Sequence, residues 1–238
     1  MSRVRATATV TAGLAAAIVA VSAQAPDRVV PVHQEPRHRM VFEAGPTRIL
    51  HLQIHPGDTS LWHSHDEPIL YVSFGATTKT RTQNLGAEWT APVNVFPAAP
   101  PSRLLSATAY AKQSLTHRIE NVGDALFELV AVTNSTRGDE TRTSQDAGFG
   151  TAAELSNGWF RAYRFNLAPG QVTEHSHRAP TVVVQTSTGT GMASGRRVFG
   201  YNGQTSWSYF DAGEPHTLRN TGTTALELVE VEVRQPGP

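Results

Sequence analysis

The chain contains an internal repeat, and the repeat limits it to few folds. Residues 47–57, TRILHLQIHPG, align without a gap on residues 160–170, FRAYRFNLAPG. In both, the residues alternate in character until Pro-Gly stops the run, the pattern of a half-buried strand that ends in a turn. The match continues in HSHDEP at 63–68 and HSHRAP at 175–180, each running into an apolar β-branched stretch. Residues 116–132 then align on 215–231: His117 with His216, Asn121 with Asn220, Gly123 with Gly222, and Glu128-Leu129-Val130 with Glu227-Leu228-Val229. Two similar β domains in tandem are predicted.

Composition bounds what those domains do. Lys plus Arg number 20 and Asp plus Glu 20, so no polybasic face announces nucleic acid or an anionic membrane. There is no cysteine, which removes disulfides and a lipid-attachment thiol. Arg3 and Arg5 precede an uncharged Ala-, Thr- and Val-rich run over 6–21, with small residues at Ser22, Ala23 and Ala25. That is the pattern of a secretory signal peptide over 1–23, with cleavage after Ala23 or, as the alternative, after Ala25. The run is short for a bilayer span, so the expected product is periplasmic or secreted, without stable membrane insertion. An extension over 24–39, a first domain over 40–133, a polar linker over 134–157 and a second domain over 158–234 complete the expected organisation. Asn134-Ser135-Thr136 is formally a glycosylation acceptor. The proline-rich stretch over 91–101 is unsuited to a central strand and reads as a loop or lid near the domain mouth.

The histidines carry the chemistry. Residues two apart on a strand face the same way, so His63 and His65 project together, as do His175 and His177. Two imidazoles are half a metal site. His117 and His216 are the remaining histidines at equivalent places, each ahead of an Asn-x-Gly turn signal. Three imidazoles on a rigid β scaffold suit Fe, Mn, Ni, Cu or Zn, and donors about 2 Å from one ion should lie roughly 3 to 4 Å from one another.

With those residues in view, both halves resemble cupin domains, and the chain is similar to a secreted bicupin. The first cupin motif runs Gly, five residues, His-x-His, three or four residues, Glu, six residues, Gly. The first half matches with Gly57, His63, His65 and Gly75. The second motif, Pro-x-Gly-x-x-His-x-x-x-Asn, is matched in the second half by Gly213, His216 and Asn220, with Asp211 in place of proline. The resemblance implies an all-β fold of two tandem jelly-roll barrels and metal ligation by His63, His65, His117, His175, His177 and His216.

The departures narrow the function. Where cupins carry the metal-binding glutamate, this chain has Ile69 or Leu70 in one half and Thr181 or Val182 in the other. Gly170 stands one residue too close to His175, and Lys112 and Ser114 replace the second motif's Pro and Gly. Asp66 and Glu67 sit at the wrong offset, so the fourth ligand is expected to be missing from both halves. Three neutral imidazoles leave a divalent ion's charge uncompensated and suit an anionic, bidentate oxygen ligand with room for dioxygen. The implied function is a three-histidine, metal-dependent dioxygenase or related oxidoreductase acting on a small anionic or phenolic compound. Fe(II) is the first choice of divalent metal, and Mn, Ni, Cu or Zn are alternatives. A non-catalytic bicupin that binds a metal or small ligand is the competing class, no catalytic side chain is assigned, and a homo-oligomer stays open. Oxalate-type chemistry is disfavoured because it uses the missing glutamate. Among the other residues, His51 and His55 read as ordinary strand positions, Glu128 and Glu227 as strand-pairing carboxylates, Trp62 and Trp207 as core or pocket wall, and Asn121 and Asn220 as turn residues.

Overall fold

The computed structural model describes residues 28–95, 103–136, 151–194, 196–199 and 207–234. The expected signal peptide, the later part of the proline-rich stretch and most of the expected linker lie outside the described residues. No helix among the described residues is long and apolar enough to cross a membrane.

The first half runs β1 (Val29–Pro31), β2 (His38–Ala44), β3 (Thr47–Ile54), β4 (Trp62–His65), β5 (Ile69–Ser73), β6 (Thr78–Asn84), β7 (Val93–Val95), β8 (Arg103–Ala107), β9 (Leu115–Asn121) and β10 (Phe127–Asn134). These pair into two sheets, β1-β4-β9-β6-β7 and β2-β3-β10-β5-β8. The second half runs β11 (Leu155–Ser156), β12 (Phe160–Leu167), β13 (Val172–His175), β14 (Thr181–Gln185), β15 (Thr190–Ala193), β16 (Arg196–Phe199), β17 (Trp207–Phe210), β18 (His216–Asn220) and β19 (Leu226–Val233). Its sheets are β11-β12-β19-β14-β17 and β13-β18-β15-β16. The fold is all-β, two jelly rolls in tandem, as the repeat predicts.

Strand parity explains the three cores. On β10, Phe127, Leu129 and Ala131 turn into the first half and pack with Leu50, Leu52, Ile54 and Ile69. On β19, Leu226 and Leu228 turn into the second half and pack with Leu167, Val183 and Leu218. The opposite faces meet each other: Val130 and Val132 share a third core with Val229, Val231 and Val233, sealed by Trp159 and Phe160. β10 and β19 are therefore buried on both faces along their whole length. Asn134 pins the junction, its buried Nδ2 donating to the carbonyls of Trp159 at 3.1 Å and Arg234 at 2.8 Å. A side-chain amide committed in this way is no glycosylation acceptor.

The repeat extends to the turns. Gly57 and Gly170 sit at φ +80° and +77°, a left-handed conformation open to glycine, so Pro-Gly closes both β-turns. Their amides donate to the carbonyls of Asn121 and Asn220. Asn121 Nδ2 reaches Ile54 and Ala125 carbonyls while its Oδ1 accepts from Gly123; Asn220 does the same with Leu167, Thr224 and Gly222. Both asparagines are structural, as expected. Val93–Val95 is a short strand at a sheet edge, the place where a proline-rich segment is tolerated.

Candidate metal centres

β4 and β9 are antiparallel neighbours with His63 directly opposite His117 and His65 two pairs along, opposite Leu115. The pairing brings His63, His65 and His117 together with one ligand atom from each within 4.8 Å of the others. His65 Nε2 and His117 Nε2 are 3.0 Å apart. His63 Nδ1 donates to the Leu61 carbonyl at 2.9 Å, which places its proton there and leaves the Nε2 lone pair available. That Nε2 and His65 Nδ1 are buried with no hydrogen-bond partner. Burial, reinforced by neighbouring histidines, pushes His63 down to about 3, His65 to about 2 and His117 to about 4. At neutral pH this is a cluster of uncharged imidazoles, the form that ligates metals.

The second cluster is built differently. His175 closes β13, His177 lies two residues beyond its end, and His216 opens β18 opposite His175. Between them stands Glu230 of β19, fully buried. Its Oε2 is 2.8 Å from His175 Nδ1 and 2.7 Å from His177 Nε2, and its Oε1 is 2.8 Å from His216 Nε2. One donor atom from each of the four falls within 4.8 Å of the rest. The expectation that both halves lack a fourth ligand is corrected here. The carboxylate has moved from the first-motif strand to its neighbour: Glu230 lies directly opposite Val183 on β14, close to the Thr181 and Val182 positions where the motif would place it.

The charge state differs as well. His177 offers both ring nitrogens to carboxylates, Nε2 to Glu230 and Nδ1 to Glu232 at 2.8 Å, so both must carry protons. Burial alone would lower its pKa, but the two carboxylates raise it to about 9. Burial likewise works against an ionised Glu230, yet the three histidines hold it well below the usual carboxylate range. His175 Nε2 is satisfied by Thr173 Oγ1 at 2.9 Å.

Glu230 and Glu232 escape motif-based reading because they are not in the motif. A signal was present nonetheless: in the repeat alignment, Ala131 and Thr133 stand where the second half has Glu230 and Glu232, and both glutamates fall on the inward face of an apolar strand. The remaining sequence candidates fall outside the clusters. His51 Nε2 meets Glu128 at 2.8 Å, and Arg164 Nη1 meets Glu227 at 2.6 Å in the matching place, so both glutamates pair across strands. Glu67 pairs with Arg48 at 2.7 Å. Trp62 lies under the Arg118 guanidinium at 4.8 Å, and Trp207 packs on Phe42 with ring centres 5.3 Å apart.

No protein-family model matches the sequence, and no curated protein aligns with it. Solved structures do match. AerE from Microcystis aeruginosa aligns over 82% of this chain and 90% of its own, at 11% identity and a TM-score of 0.55. A salicylate 1,2-dioxygenase from Pseudaminobacter salicylatoxidans aligns over 83% and 77%, at 11% identity and a TM-score of 0.50. A cupin 2 conserved barrel domain protein from Leptotrichia buccalis aligns over 82% and 88%, at 11% identity and 0.49. The solved structures that resemble this chain include cupin-fold proteins. The fold is that of the cupins. Identity this low speaks for the fold alone. Within the cupin fold, the first half keeps three histidines without a carboxylate, and the second keeps three histidines with one drawn from an adjacent strand.

Proposed function

We propose that this protein is an exported bicupin whose first half holds a divalent metal through His63, His65 and His117 and uses it in an oxidoreductase reaction on a small anionic or phenolic compound. The observation that carries the reading is the first cluster itself. Its imidazoles are neutral, their donor atoms converge, and His63 Nε2 is buried with nothing to bond. A buried unsatisfied donor or acceptor costs about 1–3 kcal/mol, a penalty that a bound cation would remove. Fe(II) is the first choice, with Mn, Ni, Cu or Zn able to use the same donors. The metal would supply Lewis acidity and, if iron, access to dioxygen. The chain's part is to keep the three imidazoles neutral, to hold His63 by the Leu61 carbonyl, and to wall the site with Tyr110, whose ring centre lies 4.9 Å from that of His65. A substrate carrying its own negative charge suits this half, because among the described residues no carboxylate joins the three histidines.

The second half can hold a metal through His175, His177, His216 and Glu230, but it is already hydrogen-bonded without one, which favours a structural or ligand-binding role there. Metal analysis of the purified chain, with His63→Ala and His175→Ala variants, tests the assignment. Loss of one bound transition metal in His63→Ala is expected, and an unaltered metal content would overturn it. Oxygen uptake across catechols, flavonols and diketones tests the reaction; silence with a loaded metal would leave a binding protein. Export is tested by sequencing the N-terminus of the protein recovered outside the cytoplasm, which should begin at Gln24 or Pro26.

A further inference from the structure

Residues 29–38 are joined to the strand that carries the first cluster. β1 lies parallel to β4, with Val30 opposite His63 and Pro31 opposite Ser64. The chain then passes through a 3-10 turn over Val32–Gln34 into β2, and between them Glu35 is buried to 1% exposure. A carboxylate so deep must be neutralised by donors. Its Oε2 accepts from the Arg37 amide at 2.7 Å, the His38 amide at 2.9 Å and His38 Nδ1 at 2.7 Å. Its Oε1 accepts from the Leu61 amide at 3.0 Å. Leu61 is held on its other side too: its carbonyl, in the following peptide, accepts from His63 Nδ1. The His38 ring, held by Glu35, lies with its centre 4.3 Å from that of His63. Glu35 thus reaches His63 by two routes, through the backbone of Leu61 and through a packed ring. In the second half that work falls to the barrel's own residues, Thr173 on His175 and Glu232 on His177.

We propose that Glu35 is the positioning residue of the first centre. By holding the Leu61 backbone and the His38 ring it fixes the tautomer and orientation of His63, so the N-terminal segment sets how the first half binds metal. The inference rests on reading His63, His65 and His117 as that centre. Partners behind a ligating histidine orient it, and their loss commonly costs tenfold to a hundredfold in metal affinity.

The test uses the full chain carrying His216→Ala to weaken the second cluster, titrated with Co(II) and followed by its visible absorption. Glu35→Gln should weaken first-half binding by roughly tenfold to a hundredfold and change the cobalt spectrum. Glu35→Asp should recover part of both, and His38→Phe should have the smaller effect because it keeps the packed ring. In parallel, the ring nitrogens of the metal-free, histidine-labelled chain are read by NMR. His63 should be a single Nδ1-protonated tautomer in the unsubstituted chain and a mixture in Glu35→Gln. Unchanged cobalt affinity together with an unchanged tautomer would overturn the proposal. Should the first half take up no cobalt at all, the metal reading fails, and the tautomer alone then decides the role of Glu35. Should Glu35→Gln fail to fold, a His63 protonated at Nε2 in the unsubstituted chain is the contradicting result.

Discussion

The two halves share a scaffold and differ in what fills it. Both close the first repeat strand with a left-handed Pro-Gly turn, both clamp that turn with an asparagine, and both place two histidines against a third across a strand pair. At two inward positions the first half has Ala131 and Thr133 where the second has Glu230 and Glu232. That exchange separates a neutral cluster with orphaned nitrogens from an ion-paired cluster that is complete in itself. Three histidines in a cupin fold therefore do not define one kind of site, because the residues of a neighbouring strand decide whether the imidazoles wait for a cation or already hold a proton.

The largest expected effect is on pH stability of the metal-free chain. His63, His65 and His117 have folded-state values of about 3, 2 and 4, below the ordinary 6.5. Their contribution is present above pH 6.5 and is lost as the pH falls, since the unfolded chain takes up protons the fold refuses. Each costs about 1.4 kcal/mol per pH unit below 6.5 until its own folded value is reached, so at pH 5.5 the three together weaken the first half by about 4 kcal/mol. His177 runs the other way: its contribution is full below pH 6.5 and is lost as the pH rises towards 9. Glu230, held low, contributes above its ordinary 4.5 and loses that on acidification. Hydrogen exchange corrected for intrinsic rates should show β9 opening first at pH 5.5 and β18 weakening first at pH 9. Parallel behaviour of the two strands would erase the contrast.

Glu230→Ala breaks the comparison from the other side. It leaves His177 with Glu232 alone and removes the acceptor that three buried histidines share, and removing one partner of a buried pair costs about 3–5 kcal/mol. The denaturation midpoint should fall accordingly, while binding of a metal to the first half persists. Asn121→Ala and Asn220→Ala form the control. Each removes three matching hydrogen bonds at a buried turn and should cost about 1–3 kcal/mol, with Asn121→Ala slightly the costlier because it also removes the bond from Thr78 Oγ1. A large disagreement would mean that the scaffold itself, and not only its filling, has diverged.

Much of this was legible in the sequence. The alternating run to Pro-Gly, repeated at 47–57 and 160–170, predicts the strands β3 and β12, and the repeated Asn-x-Gly predicts the hairpins before β10 and β19. The six histidines are legible because ligands two apart on a strand leave a local spacing. Glu230 is not, because its partners lie 14, 53 and 55 residues away and only sheet register brings it to them. Glu35 hides for a related reason: it precedes the first repeat, and its role depends on a parallel pairing between β1 and β4 that no local pattern announces.

The most direct test of the difference between the halves is the number of protons released when Co(II) binds at pH 7.5. It is measured by calorimetry in buffers of different ionisation enthalpy, on His175→Ala to isolate the first half and on His63→Ala to isolate the second. The first half should bind with no proton released, its affinity flat from pH 6 to 8. The second should release at least one proton per ion, that of His177, with affinity rising at least about tenfold per pH unit up to pH 9. Equal proton release from both halves would contradict the account.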